Sequence, residues 1–151
     1  MNQLFRFVNP IVVIMSKTLL HWCFSHQVMV LHFSGRRSGK LYAIPVSYLR
    51  ISGESESRIL CMTDARGVWW KNLQDTDLVT ATVRGKQISA RVKVEAQDTQ
   101  KIADALDKFC RRSRVSAFFS GVGREGGVPN SADLTAAAAR NVLIELTPSE
   151  P

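Results

Sequence analysis

The first 50 residues contain no aspartate or glutamate, although Arg6, Lys17, Arg36, Arg37, Lys40 and Arg50 fall among them. Over all 151 residues the formal charge is +7. An acid-free third therefore carries a positive potential that attracts phosphorylated ligands, acidic lipid headgroups or nucleic acid. Cysteine is scarce as well. Cys23, Cys61 and Cys110 are odd in number, widely spaced and set among apolar residues, with no CxxC pair. That pattern predicts buried free thiols in a reducing, cytoplasmic setting rather than a disulfide framework. His21, His26 and His32 do not fall on a metal-ligand spacing, which argues against structural zinc.

Long apolar runs are also missing. The apolar stretch 7–33 is interrupted by Pro10, Lys17, His21 and His26, leaving no window of about 18 uncharged, apolar residues for a membrane-spanning helix. The cluster Ile11–Met15 is short and no small-residue cleavage site follows it, so a signal peptide fits poorly. Residues 1–27 are then expected to form a helical segment that either packs on the domain or lies on a membrane surface. With 45% hydrophobic residues and no low-complexity tract, the simplest organisation is one domain over residues 1–151 with its own core.

Local signals order the chain. Asn9-Pro10 reads as an N-cap followed by proline in the first turn of a helix, and a second short helix is expected over 17–25. Val28–Phe33 and Leu41–Ile51 read as strands, with Pro45 marking an edge or a bulge. Arg58–Thr63 follows a polar turn and completes a hairpin. Val68–Leu73 reads as one or two helical turns, where adjacent indoles diverge by about 100°, so that one of Trp69 and Trp70 is core and the other lines a groove.

Leu78–Arg84 and Gln87–Glu95 alternate around Gly85-Lys86, which predicts a tight hairpin. Asp98 caps an expected helix over Thr99–Arg112 with Ile102, Leu106, Phe109 and Cys110 on one face. The glycine- and serine-rich stretch 113–131 reads as a long loop, followed by a short helix over Asp133–Ala139 and a closing strand over Asn141–Thr147. The expected class is α+β, mostly β. About six mainly antiparallel strands close on themselves, with helices at the N-terminus and on the flank.

The richest segment is Ser34-Gly35-Arg36-Arg37-Ser38-Gly39-Lys40. Two glycines bracket cations and a serine between two strands, so the turn offers guanidinium forks, a hydroxyl and backbone N–H groups to one phosphate. The strand after it would supply a surface for the rest of a phosphorylated ligand.

That turn, with Ile44-Pro45-Val46, Tyr48-Leu49-Arg50 and the stretch Val68-Trp69-Trp70-Lys71-Asn72-Leu73, resembles the deazaflavin (coenzyme F-420)-dependent nitroreductase and quinone reductase family. The likeness covers residues 8–95 well and the last third loosely. It implies a split β-barrel, the fold shared with oxidoreductases that bind flavin mononucleotide (FMN). Carried over, Arg36, Arg37 and Ser38 would hold the coenzyme's phosphate, with Gly39 also at the cofactor and Lys40 adding charge near its acidic tail. Tyr42, Ala43, Ile44, Pro45, Val46 and Ser47 would run along the ring and linker. Met62, Thr63 and Asp64 would sit beside the ring, and Val68, Trp69, Trp70 and Asn72 would form the far wall.

The chain departs from the family's pattern in two places. No tyrosine follows Tyr48, so Tyr48, Phe118 and Phe119 are the candidates for substrate contact and no proton donor is assigned. Asp64 places an acid where an acidic coenzyme would favour a neutral or basic residue. The sequence contains no evident nucleophile triad or carboxylate pair, in keeping with hydride transfer, which needs close, dry positioning more than acid–base machinery.

The implied activity is hydride transfer from reduced F-420 to a quinone-like or nitroaromatic acceptor, by a monomer or a homodimer. FMN or haem in the same fold is the alternative. A non-enzymatic basic module for acidic lipid or nucleic acid is weaker, since aromatics are only 8% of the chain and nucleic-acid barrels stack bases on them.

Overall fold

A computed structural model describes residues 28–53, 56–112 and 121–149. The helices expected before residue 28, Cys23, His21, His26, and the candidates Phe118 and Phe119 lie outside them.

Among the described residues seven strands form one antiparallel sheet: β1 (Val28–Ser34), β2 (Leu41–Ser47), β3 (Leu49–Ser52), β4 (Ser57–Asp64), β5 (Leu78–Val83), β6 (Lys86–Glu95) and a last strand, β9 (Asn141–Pro148). Their order is β2-β1-β5-β6-β9-β4-β3. The two edges, β2 and β3, are separated in sequence only by Tyr48. One extended segment thus begins at one edge of the sheet and ends at the other, so the sheet must curl until those edges meet. Tyr48 sits at that corner, buried in the core.

Alternation along the strands divides the interior in two. Met29, Leu31 and Phe33 of β1, Ile44 and Val46 of β2, Ile59 and Cys61 of β4, and Val142, Ile144 and Leu146 of β9 fill the barrel. The opposite parity, Leu49, Leu60 and Leu143, faces helix α1 (Thr99–Arg112), whose Ile102, Ala103, Ala105 and Phe109 cover it. Helix α2 (Ser131–Ala138) packs on α1 through Leu134 and Ala137, near Leu106 and Cys110. The Asp98 carboxylate accepts the Lys101 N–H at 3.0 Å at the start of α1, the cap anticipated from sequence. Among the described residues no helix is long and apolar enough to cross a membrane.

Three sequence expectations are corrected. The β5–β6 turn is Arg84-Gly85, with φ of 50° and 78° and Val83 opposite Lys86, so Lys86 opens β6 instead of occupying the turn. Two consecutive positive φ values define the turn type whose twist matches a hairpin. The single strand expected over Leu41–Ile51 is two, broken where the chain changes edge. Within the stretch read as a loop, β7 (Arg124–Glu125) and β8 (Val128–Pro129) form a small hairpin. Pro45 lies opposite Val30 on an edge strand, where a missing donor is tolerated.

Candidate functional site

The Gly35–Lys40 turn connects the end of β1 to the start of β2. It is closed by two backbone bonds, from Gly35 N–H to the Lys40 carbonyl and from Gly39 N–H to the Gly35 carbonyl, both 2.8 Å. Gly39 has φ of +64°, a conformation glycine adopts without strain. Gly35 is required for space: a Cβ there would lie 2.8 Å from Ser38 Oγ and 2.9 Å from Tyr42 Cε2. The Lys40 N–H donates to Ser38 Oγ at 3.3 Å.

The Arg36 N–H donates to Asn72 Oδ1 at 3.0 Å. Four of the turn's six N–H groups are therefore already engaged, so fewer of them than expected are left to face a ligand. What the turn offers outward are side chains. Residues 36–40 are exposed, and among the described residues no carboxylate pairs with Arg36 or Arg37.

Asn72 belongs to a 3₁₀ helix, Trp69–Leu73, that packs against β1 and β6. Its Nδ2 donates to the Trp69 carbonyl at 2.9 Å. Trp69 stacks on Phe33 with centroids 5.9 Å apart, and Phe33 stacks on Tyr42 at 5.6 Å. The result is a row of three rings at the root of the cationic turn, each contact of a kind worth about 0.5–1.5 kcal/mol beyond its buried area. Both indoles are buried in the core, Trp69 to 9% exposure and Trp70 to 7%, where one of the pair was expected in the core and the other lining a groove. Trp70 Nε1 is buried without a hydrogen-bond partner among the described residues, and Lys71 Nζ lies 5.7 Å from the Trp70 ring centroid. Val68, just before the helix, is exposed.

The remaining candidates divide by strand parity. Ile44 and Val46 point into the barrel, whereas Ala43, Pro45 and Ser47 alternate to its outer side, half-buried. Among the described strands β2 pairs with β1 alone, so its other backbone edge is what that segment can present beside the turn. Ser47 Oγ is buried without a partner among the described residues. Met62 packs with the helical clusters, away from the ring row. Thr63 is half-buried on the parity of Cys61, and Tyr48 lies in the barrel core.

Asp64 ends β4. Arg66 donates to it from its N–H at 2.8 Å and from Nη2 at 2.7 Å. The Arg66 side-chain bonds, its N–H and the nearby charge of Arg140 hold the carboxyl below its ordinary range. The acid that stood out in the sequence is thus matched by a local cation.

Sequence reasoning missed Phe33 as the middle ring and Arg66 as the partner of Asp64. The first was readable from its even spacing with Met29 and Leu31, and the second from an Asp-x-Arg turn.

No family model matches the chain, and no curated protein matches it. Solved structures do. A pyridoxamine 5'-phosphate oxidase-related, FMN-binding protein from Nostoc punctiforme is 13% identical, with a TM-score of 0.58 over 92% of this chain and 80% of that one. The fold is a split β-barrel. A conserved hypothetical protein from Mycobacterium tuberculosis is likewise 13% identical, with a TM-score of 0.58 over 89% and 80% of the two chains. The haem storage protein HutZ from Vibrio cholerae is 8% identical, with a TM-score of 0.54 over 89% and 90%. At such identities the likeness is one of fold, and function has to be argued from the site.

Proposed function

We propose that this split barrel is an oxidoreductase that binds the deazaflavin coenzyme F-420 and passes a hydride to a quinone-like or nitroaromatic acceptor. One observation carries the reading: a turn bearing Arg36 and Arg37, with no acidic partner among the described residues, is fixed at the root of the Tyr42–Phe33–Trp69 row. The donor set suits a phosphate ester. Guanidinium forks grip phosphate oxygens bidentately, and each charge-assisted contact contributes about 1.5–3 kcal/mol. The cradle is tight enough at Gly35 that a methyl group would collide with Ser38 and Tyr42.

Arg36, Arg37 and Ser38 would hold the phosphate, with Lys40 adding charge. The edge of β2 left unpaired among the described strands and the 3₁₀ helix would flank the ring system. The bound coenzyme supplies the hydride. The protein's part is to fix the ring's orientation and exclude water, which demands rigid packing more than acid–base groups. The acceptor's contacts are proposed to come from the stretch containing Phe118 and Phe119. The segment 1–27 is proposed as an apolar approach for a lipophilic acceptor.

FMN is the second reading, because the same turn suits any single phosphate ester and a neighbour in fold is described as FMN-binding. Titration of the purified protein with F-420 tests the first: fluorescence quenching at micromolar coenzyme is expected, and Arg37→Ala should weaken it about 10- to 100-fold. A visible spectrum showing tightly held flavin or haem in the protein as isolated would replace F-420 with that group. An Arg37→Ala variant of unchanged affinity would show that the turn does not bind the phosphate.

A further inference from the structure

We propose that Asn72 is the positioning residue that sets the cationic turn against the 3₁₀ helix, so that grip on a phosphorylated cofactor depends on an amide that touches no phosphate. The family resemblance would place Asn72 on the ligand's wall, whereas the geometry points elsewhere. Oδ1 accepts the Arg36 N–H at 3.0 Å and Nδ2 donates to the Trp69 carbonyl at 2.9 Å. Exchanging oxygen and nitrogen would set donor against donor and carbonyl against carbonyl, so the amide has one orientation.

The backbone of Asn72 is tied as well, its carbonyl accepting Thr76 Oγ1 at 3.1 Å. The turn's own bonds, Gly35 to Lys40 and Gly39 to Gly35, close it without locating it against anything else. Among the described residues, the bond from the Arg36 N–H to Asn72 Oδ1 is a side-chain hydrogen bond that joins turn and helix. Because that bond ends on the backbone of Arg36, it fixes where the guanidiniums of Arg36 and Arg37 start from. Through Trp69 it refers that position to the ring row.

The inference rests on the phosphate reading of the turn, and its test separates the two. Dissociation constants would be measured for four probes: F-420, its phosphate-free deazaflavin core, FMN and riboflavin. The readout is the preference for the phosphorylated member of each pair. Arg37→Ala should lower that preference. Asn72→Ala, which removes the amide, should lower it about tenfold with little effect on the phosphate-free probes. Asn72→Ser, too short to reach either partner, should do the same and replaces the alanine variant if that fails to fold.

Equal weakening of phosphorylated and phosphate-free probes would mean a purely structural role and overturn the proposal. So would an unchanged preference in Asn72→Ala where Arg37→Ala lowers it. If Arg37→Ala also leaves the preference intact, or the unmutated protein binds none of the four, the phosphate reading itself falls.

Discussion

Asn72 accepts a hydrogen bond from the backbone of Arg36, 36 positions earlier in the chain. Neither residue's local sequence requires the other. The bond exists because β1 delivers the turn to the end of the barrel at which the 3₁₀ helix crosses. The cationic turn and the aromatic row, separate features along the sequence, meet there.

The two glycines of the turn should respond differently to alanine. At Gly35 the new Cβ would lie 2.8 Å from Ser38 Oγ and 2.9 Å from a ring carbon of Tyr42. Ser38 can rotate, but Tyr42 is stacked on Phe33 and has little room. Gly35→Ala is expected to cost about 1–3 kcal/mol and to disturb the ring row. At Gly39 a new Cβ would meet none of the described residues within 4 Å beyond its chain neighbours, but φ is +64°, so alanine costs about 1 kcal/mol from backbone strain alone. Urea denaturation should rank Gly35→Ala as the less stable, and near-ultraviolet circular dichroism should change for it only.

Asp64 should contribute an acid-sensitive increment of stability. Hydrogen bonds from Arg66 hold its carboxyl below the ordinary value of 3.8. A depressed carboxylate stabilises the fold fully above its unfolded value and loses that contribution as pH falls through the folded one. The pair is solvent-exposed, with side-chain exposures of 89% for Arg66 and 48% for Asp64, so the effect is small. The gap in urea midpoint between the unmutated protein and Asp64→Asn should be open at pH 6 and close below about pH 4. A gap independent of pH would contradict the ion pair.

Most of the architecture is legible in the sequence where a local rule decides it. Period-two alternation marks β5 and β6, short apolar runs between turns mark β1, β4 and β9, and Asp98 announces the start of α1. The Arg84-Gly85 turn was misplaced by one residue because a non-glycine at positive φ carries no compositional flag. The corner at Tyr48 was invisible for a different reason. Changing sheet edge leaves alternation intact, Tyr48 and Leu49 simply facing opposite layers. For the site, the cations of the turn could be read directly. The link through Asn72 and the middle place of Phe33 could not, because both depend on which elements meet in space.

The buried charge beneath α1 offers a test of the helix–sheet junction. Glu145 on β9 is 7% exposed. It pairs with Lys101 of α1 at 2.6 Å and Arg58 of β4 at 3.2 Å. Removing one partner leaves a desolvated carboxylate that the other must satisfy alone. Lys101→Met is expected to destabilise by about 1–3 kcal/mol. Arg58→Met should cost less, since its side chain is 47% exposed against 35% for Lys101. The double variant Lys101→Met with Glu145→Leu should recover most of the loss, because an apolar pair of similar volume leaves no buried charge unpaired. Denaturation midpoints of the four proteins decide it.

The free thiols Cys61 and Cys110, both buried, should be silent toward reagents and costly at high pH. Burial pushes Cys61 up to about 12, and burial together with the Asp107 carboxylate pushes Cys110 up to about 11. The nucleophile is the thiolate, so neither should react with iodoacetamide at pH 8 in the folded protein, and both should react once urea unfolds it. In the unfolded chain these thiols ionise near 8.5. Between that value and the folded ones the native state binds more protons, so stability falls as pH rises, by about 1.4 kcal/mol per pH unit for each thiol. Cys61→Ala and Cys110→Ala should each flatten the alkaline limb of the stability curve above pH 9, whatever they cost at neutral pH through lost packing. An alkaline limb unchanged in both variants would mean that the thiols do not govern it.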